Sequence, residues 1–509
     1  MKHTYRVRFA GDSKYQQALD FHRTDTGHTS SFSTSSFSSS PSSSTRPSTA
    51  KTKTCAASQS DNQKPRRTKS KFSCMECRRR RVKCDETFPV CLRCQRRGSV
   101  CLASSRPVQW HTEMPWLSDT IVLDSWPNDA SLNKRLLQYW VEQTSQLLSL
   151  DRNNNPLALP LLQHLTASPS LLHAIQSVSA GHENFFSNAS LDTCLEERGR
   201  ALRLVRQELC DLASLSISSI FTVFLLGISS SWIESDDLDS WGKQHLDGAR
   251  AIIKLILASK AMREDPLARF LLGWYLYWDM TCSFLDDPQE EPSISAQDVV
   301  GALQVDCNFF HPIIGFSSEL YAHVAEVGRY CRRALEYDVK NHDFEELANQ
   351  KLLSWSPSHH DKHLNDLSLA YRNHGLMMLY RAGHGPMELT RRVVDEGDGT
   401  EETVVGTEAV IRSYAIETIR TMMEIPMSEL CANFQSLPLL GAAAELMAED
   451  AVLRENVIAQ FKALYSNSRV LVHLRSIELL QELWSLRDCG VGMSWMELSL
   501  VKGWKLCFS

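Results

Sequence analysis

Six cysteines stand at Cys74, Cys77, Cys84, Cys91, Cys94 and Cys101, so the spacing C-x2-C-x6-C occurs twice. Two thiolates separated by two residues grip one zinc ion from a tight turn. The third cysteine of each copy, seven positions on, returns to the same place after about two helical turns. Three sulfurs per copy leave a tetrahedral ion one ligand short. Two ions need eight sulfur bonds, and six cysteines supply them only if two sulfurs bridge. The arithmetic favours one shared two-zinc cluster over two separate sites. Six thiolates and two Zn2+ sum to −2, a charge that neighbouring arginines would offset. A segment this short builds no hydrophobic core of its own, so metal binding is expected to supply its folding energy.

The 28 positions from Cys74 to Cys101 also hold eight Arg or Lys residues. Between Lys64 and Arg97 there are 13 basic residues against three acids, a local net of +10; the whole chain carries −6, so the remainder carries −16. A compact basic island on an acidic chain marks one polyanion-binding surface. Upstream, "KPRRTKSK" (Lys64 to Lys71) reads as a nuclear-import signal, a phosphate-contacting arm, or both.

This segment resembles the fungal binuclear zinc cluster DNA-binding domain. The resemblance rests on all six cysteines, the basic run between the second and third, and Pro89 in the loop before the fourth. It implies two short helix-plus-loop halves related by pseudo-symmetry, two Zn2+ per chain, and bridging by Cys74 and Cys91. Double-stranded DNA is the implied partner, with Arg80 and Arg81 as base readers. Relatives often carry lysine at the latter position, but arginine pairs bidentately with guanine O6 and N7. CGG-type triplets are the expected target. Arg78, Arg79 and Lys83 are expected on phosphates, as are Arg93, Arg96 and Arg97. Two other readings compete: a disulfide knot, disfavoured in a reducing compartment, and a zinc module for protein contacts, disfavoured by the charge placement.

The rest of the chain must carry this module. Its 509 residues and 43% hydrophobic content suffice for large globular cores. Residues 1–70, with the run "TSSFSTSSFSSSPSSSTRPST", are expected to be disordered. The cluster occupies 71–103. A linker, 104–117, holds Pro107 and no heptad pattern, so no dimerising coiled coil is expected there. Residues 118–509 read as an all-α domain. In it Leu132, Leu136, Leu137, Trp140, Leu147 and Leu148 share one helix face; Ser168 and Pro169 open another helix. Trp241, His245, Ala249, Ile252 and Ile256 line a third, where Gly248 suggests close approach by a neighbouring helix. Further helices are expected around 367–380, 408–423, 437–448 and, as more than one, 451–486. The stretches "SLLHAIQSVSAGHENFF" and "WGKQHLDGARAIIKLI" resemble the regulatory domain that follows the cluster in one branch of these fungal factors, which implies regulation and sometimes small-molecule sensing.

There is no apolar leader and no run of 18 or more apolar residues, so no membrane partner is expected. The nine other cysteines read as small buried side chains. No nucleophile elbow, phosphate loop or H-E-x-x-H pair occurs, so the chain is not expected to be an enzyme. "SHHDKH" (Ser358 to His363) and "VVDEGDGTEE" (Val393 to Glu402) read as exposed loops, and His245 as a hydrogen-bonded core residue. The expectation is a nuclear, zinc-dependent, sequence-specific transcription regulator, of RNA polymerase II genes. Homodimerisation through the C-terminal domain and contacts to the transcription machinery are expected. The rival is a regulatory interaction protein whose cluster reads no DNA sequence.

Overall fold

The computed structural model describes residues 73–87, 90–102, 132–187, 191–210, 215–233, 242–290, 294–304, 310–358, 360–385, 390–392, 402–404 and 406–508. The serine-rich segment, the basic run Lys64 to Lys71, Pro89, Trp241 and the linker lie outside them. Two five-residue helices, α1 (Met75–Arg79) and α2 (Leu92–Arg96), build the N-terminal cluster. A large helical body follows, so the expected class, a small two-part cluster before a mostly α-helical region, is what the chain adopts. Among the described residues, the only strands form an antiparallel two-stranded ladder, β1 (Thr390–Arg392) with β2 (Glu402–Val404).

The helices begin where side chains can satisfy their free N–H groups. In α3 (Lys134–Tyr139) Asn133 accepts from Leu136, and the helix widens into a π turn, Trp140–Thr144. Leu136, Leu137 and Trp140 are buried, as their shared face predicts, and the Trp140 indole donates to the Leu157 carbonyl at 2.6 Å. In α4 (Pro169–Ser187) the Ser168 hydroxyl accepts from Leu171, with Pro169 at the first position. α5 (Leu191–Glu208) packs along α4. α6 (Ile217–Ile228) is capped by Ser216 and buried from Ser218 onward. α7 (Lys243–Ala258) and α8 (Pro266–Cys282) follow, the latter capped by Asp265 and buried all round from Phe270.

Phe221, Phe224, Phe270, Trp274 and Trp278 form an aromatic centre with ring separations of 5.5–6.3 Å. The close helix approach lies at Gly227, not at Gly248. A Cβ at Gly227 would sit 2.4 Å from the Trp278 ring and 2.8 Å from His245 Cβ, whereas one at Gly248 would meet nothing within 4 Å. The buried stripe of α7 is Leu246, Ala249, Ile252, Ile253 and Ile256, one position off His245, which is only half-buried.

Beyond these lie α9 (Ser318–Tyr337), α10 (His342–Ser354), α11 (Lys362–Ala382), α12 (Thr407–Glu424) and α13 (Ser436–Ala443). α14 (Ala451–Ser468), α15 (Val472–Asp488) and α16 (Trp495–Lys502) complete the body. The stretch 451–486 is more than one helix, as expected: α14 and α15 part at Arg469, with φ 61°. Asp361 in "SHHDKH" caps α11 by accepting from His363 and Leu364. Cys194, Cys282, Cys331, Cys431 and Cys507 are buried, as expected, but Cys210 and Cys489 are exposed.

Three buried charges and the half-buried Arg329 tie α7, α8 and α9 together. Arg250 reaches Asp279 at 2.9 Å and Asp286 at 2.6 Å, and Arg329 bonds Asp279 from the other side. Burial pushes the Asp279 carboxyl up, but Arg329 and Arg250 outweigh it and hold it below the usual range. Removing one partner leaves an uncompensated buried charge. Arg250→Ala is expected to cost about 3–5 kcal/mol, read as a fall in the denaturant midpoint at unchanged slope.

Burial also holds four histidines neutral: His182, His374 and His473 at about 3, His311 at about 4. Each folded value lies below the unfolded one of about 6.5, so the unfolded chain takes up protons first as pH falls. Stability is therefore full above about pH 6.5 and lost progressively toward pH 3–4. Each histidine contributes a slope of about 1.4 kcal/mol per pH unit. Thermal unfolding between pH 7 and 5 should show this loss, and His374→Leu should lower the slope by one histidine's share.

Candidate metal centre and nucleic-acid interface

The two halves of the cluster are built alike. Cys74 precedes α1 and its Sγ accepts the Cys77 N–H at 3.3 Å; Cys91 precedes α2 and accepts the Cys94 N–H at 3.4 Å. Each cysteine thus replaces the usual Ser or Asp at a helix N-cap. Each helix closes the same way: Val82 donates back to the Cys77 carbonyl, and Ser99 to Cys94. The residue before each closing bond is left-handed, Arg81 in the first half and Gly98 in the second, both at φ 56°.

All six thiols are buried, 1–3% exposed. They form two sets of four, Cys74–Cys77–Cys84–Cys91 and Cys74–Cys91–Cys94–Cys101, with the sulfurs of each set within 4.8 Å of one another. Cys74 and Cys91 belong to both. The separations Cys74–Cys91, Cys74–Cys94 and Cys77–Cys91 are 3.7–3.8 Å. A tetrahedral ion with sulfur bonds of about 2.3 Å has edges of about 3.8 Å, so the donor set fits zinc. Bonds from Cys101 and Cys94 hold the Cys74 thiol low; burial pushes Cys77 up, and Cys101 and Cys74 push Cys94 up. So many thiolates share one pocket only when a cation balances them.

Asp85 joins the halves. Its carboxylate accepts the Leu92 and Arg93 N–H groups at 2.9 and 3.3 Å, the first turn of α2, and the Thr87 N–H at 3.2 Å. The Met75 N–H donates to the Leu102 carbonyl at 2.7 Å and closes the module.

Arg78, Arg79, Arg80, Arg81 and Lys83 are all exposed, on and just after α1. Arg93, Arg96 and Arg97 are exposed on and just after α2. Arg79 and Arg80 both bond Glu76. The second half faces the helical body instead. The Cys101 N–H donates to Ser466 Oγ at 2.9 Å, and Arg469 Nη2 donates to the Cys101 carbonyl at 2.9 Å. Arg469 is buried, its guanidinium over the Tyr465 ring at 5.7 Å. A Cβ at Gly98 would lie 2.9 Å from Ala459 Cβ on α14. The equivalent positions Arg81 and Gly98 therefore differ for a reason: one half faces solvent, the other a helix.

Glu76, Asp85, Gly98, Ser466 and Arg469 were not singled out from sequence. Gly98, seven residues after Cys91 as Arg81 is after Cys74, was detectable from the repeat; Ser466 and Arg469 carry no local signal.

A buried two-set thiol cluster with exposed arginines, mounted on a helical body, has the donor set of a zinc-cluster protein. Residues 72–111 match the fungal Zn(2)-Cys(6) binuclear cluster domain, and residues 135–509 match the fungal specific transcription factor domain. The second match covers most of the chain, which belongs to this family of fungal transcription factors. It is similar to the Zn(2)-C6 fungal-type transcription factor afumD of Aspergillus fumigatus, 33% identical over 122 residues, covering 22% of this chain and 32% of that one. It is also similar to the transcriptional regulatory protein moc3 of Schizosaccharomyces pombe, 50% identical over 38 residues, 8% of each chain. The chain thus spans about a third, or less, of the curated relatives it matches. No solved structure matches it. Among the described residues, no helix is long and apolar enough to cross a membrane.

Gly98→Ala is expected to destabilise the zinc-loaded chain by about 1–2 kcal/mol, from left-handed strain and contact with Ala459. Thermal denaturation checks this, and adding Ala459→Gly should recover the contact share only.

Proposed function

We propose that this DNA-binding transcription regulator reads sequence, recognising CGG-type triplets in the major groove through Arg80 and Arg81. Arg78, Arg79 and Lys83 contact phosphates, which position the module without specifying bases. The two thiol sets would hold two zinc ions, with Cys74 and Cys91 belonging to both sets; the metal would supply the charge balance and cross-links that set α1. The sharing of those two cysteines between the sets is the observation that carries the reading. Bound zinc keeps the Arg81 turn against α1, so both readers leave one rigid corner.

The protein acts in the nucleus on genes of RNA polymerase II. Residues 71–103 form the DNA-binding module, 104–117 the linker and 118–509 the regulatory domain, which mediates homodimerisation and contacts with the transcription machinery. The chemistry assigned is recognition, with no catalytic step.

Selection of bound sequences from a random DNA pool by the full chain tests this. Enrichment of CGG triplets is expected, with zinc near two per chain. Arg80→Ala or Arg81→Ala should each lower the preference by about 1–3 kcal/mol. Lys83→Ala should weaken all sequences alike and reduce the salt slope by about one. One zinc or none, or a selection profile unchanged by both arginine replacements, overturns the reading.

A further inference from the structure

A carboxylate in the middle of a polyanion-binding surface weakens attraction to phosphate, so Glu76 calls for a physical reason. It lies on α1 between two zinc-cluster cysteines, with its side chain 16% exposed. Arg79 bonds it through two donors, Nε to Oε2 and Nη2 to Oε1, both at 3.0 Å. Arg80 bonds it through Nε alone, to Oε1. The two guanidinium groups are thus held differently by one carboxylate.

A guanidinium is a planar fork, and bidentate pairing with guanine O6 and N7 needs two donors along one edge. Arg80, held only by Nε, keeps its terminal Nη1–Nη2 edge for that pairing. Arg79 gives its Nε–Nη2 edge to the same carboxylate, so Glu76 fixes the planes of both guanidinium groups from one side. Restricting an arginine before binding also lowers the rotamer entropy lost on contact.

We propose that Glu76 is a specificity-determining positioning residue: its carboxylate aims Arg80 end-on at a base edge. The inference rests on the reading of Arg80 as a base reader. It assigns Glu76 no contact with DNA. Its effect is to trade general affinity for discrimination.

The test compares full-length, zinc-loaded wild type with Glu76→Gln, Arg80→Ala and the double variant. Affinities are measured by fluorescence anisotropy for the selected duplex and for a shuffled duplex of equal composition. Glu76→Gln should lower the ratio of the two affinities about tenfold, within the range of one lost bidentate contact. Affinity for the shuffled duplex should rise a few-fold, because one negative charge leaves the interface. In the Arg80→Ala background, Glu76→Gln should change the ratio no further, and Glu76→Asp should restore part of it. Damage to the fold would instead lower both affinities together and reduce bound zinc; that result overturns the inference. So does a ratio within twofold of wild type, or an equal effect of Glu76→Gln with and without Arg80. Wild type that selects no preferred sequence removes base reading itself, an outcome visible before any Glu76 variant is measured.

Discussion

Crowding of six thiols into one small volume governs the N-terminal module. Sulfurs less than 4 Å apart, excluded from water, repel one another as thiolates and gain little as thiols. A cation bound between them reverses the balance, so a segment with few apolar side chains acquires a fixed shape. Every other feature of the module leans on that: the cysteine caps of α1 and α2, the left-handed turns that end them, and the Asp85 carboxylate joining the halves. The arginines need no packing of their own because the metal-set turns orient them.

The internal repeat is symmetric in backbone and asymmetric in use. Arg81 and Gly98 occupy the same left-handed position. For arginine that conformation carries strain, tolerable where it places a charged side chain at the surface. For glycine it carries none, and the missing Cβ lets α14 approach. The module thus presents one half to solvent and the other to its own helical body.

The metal-binding half was almost wholly legible in the sequence, because ligand spacing within 28 residues is a local signal. Helix positions were legible too, from apolar periodicity and from caps such as Ser168–Pro169. What escaped was long-range. Gly248 seemed the site of close packing because it interrupts an apolar stripe; only the fold shows that Gly227 lies under Trp278. The quartet of Arg250, Asp279, Asp286 and Arg329 joins residues up to 79 positions apart, and nothing local marks those four among 114 charged residues. Glu76 was visible as an acid but not as an organiser of two arginines, since a five-residue helix gives too little pattern to rank its neighbours.

The hold on Cys101 also imposes an order in time. Its backbone partners, Ser466 and Arg469, come 365 and 368 positions later. At about 5–20 residues per second, a ribosome needs roughly 20–70 seconds to cross that interval. All six cysteines have emerged long before, so the cluster segment leaves the ribosome before its docking partners exist. The basic head is made first on a growing tether, and α14, made late, gives it a seat.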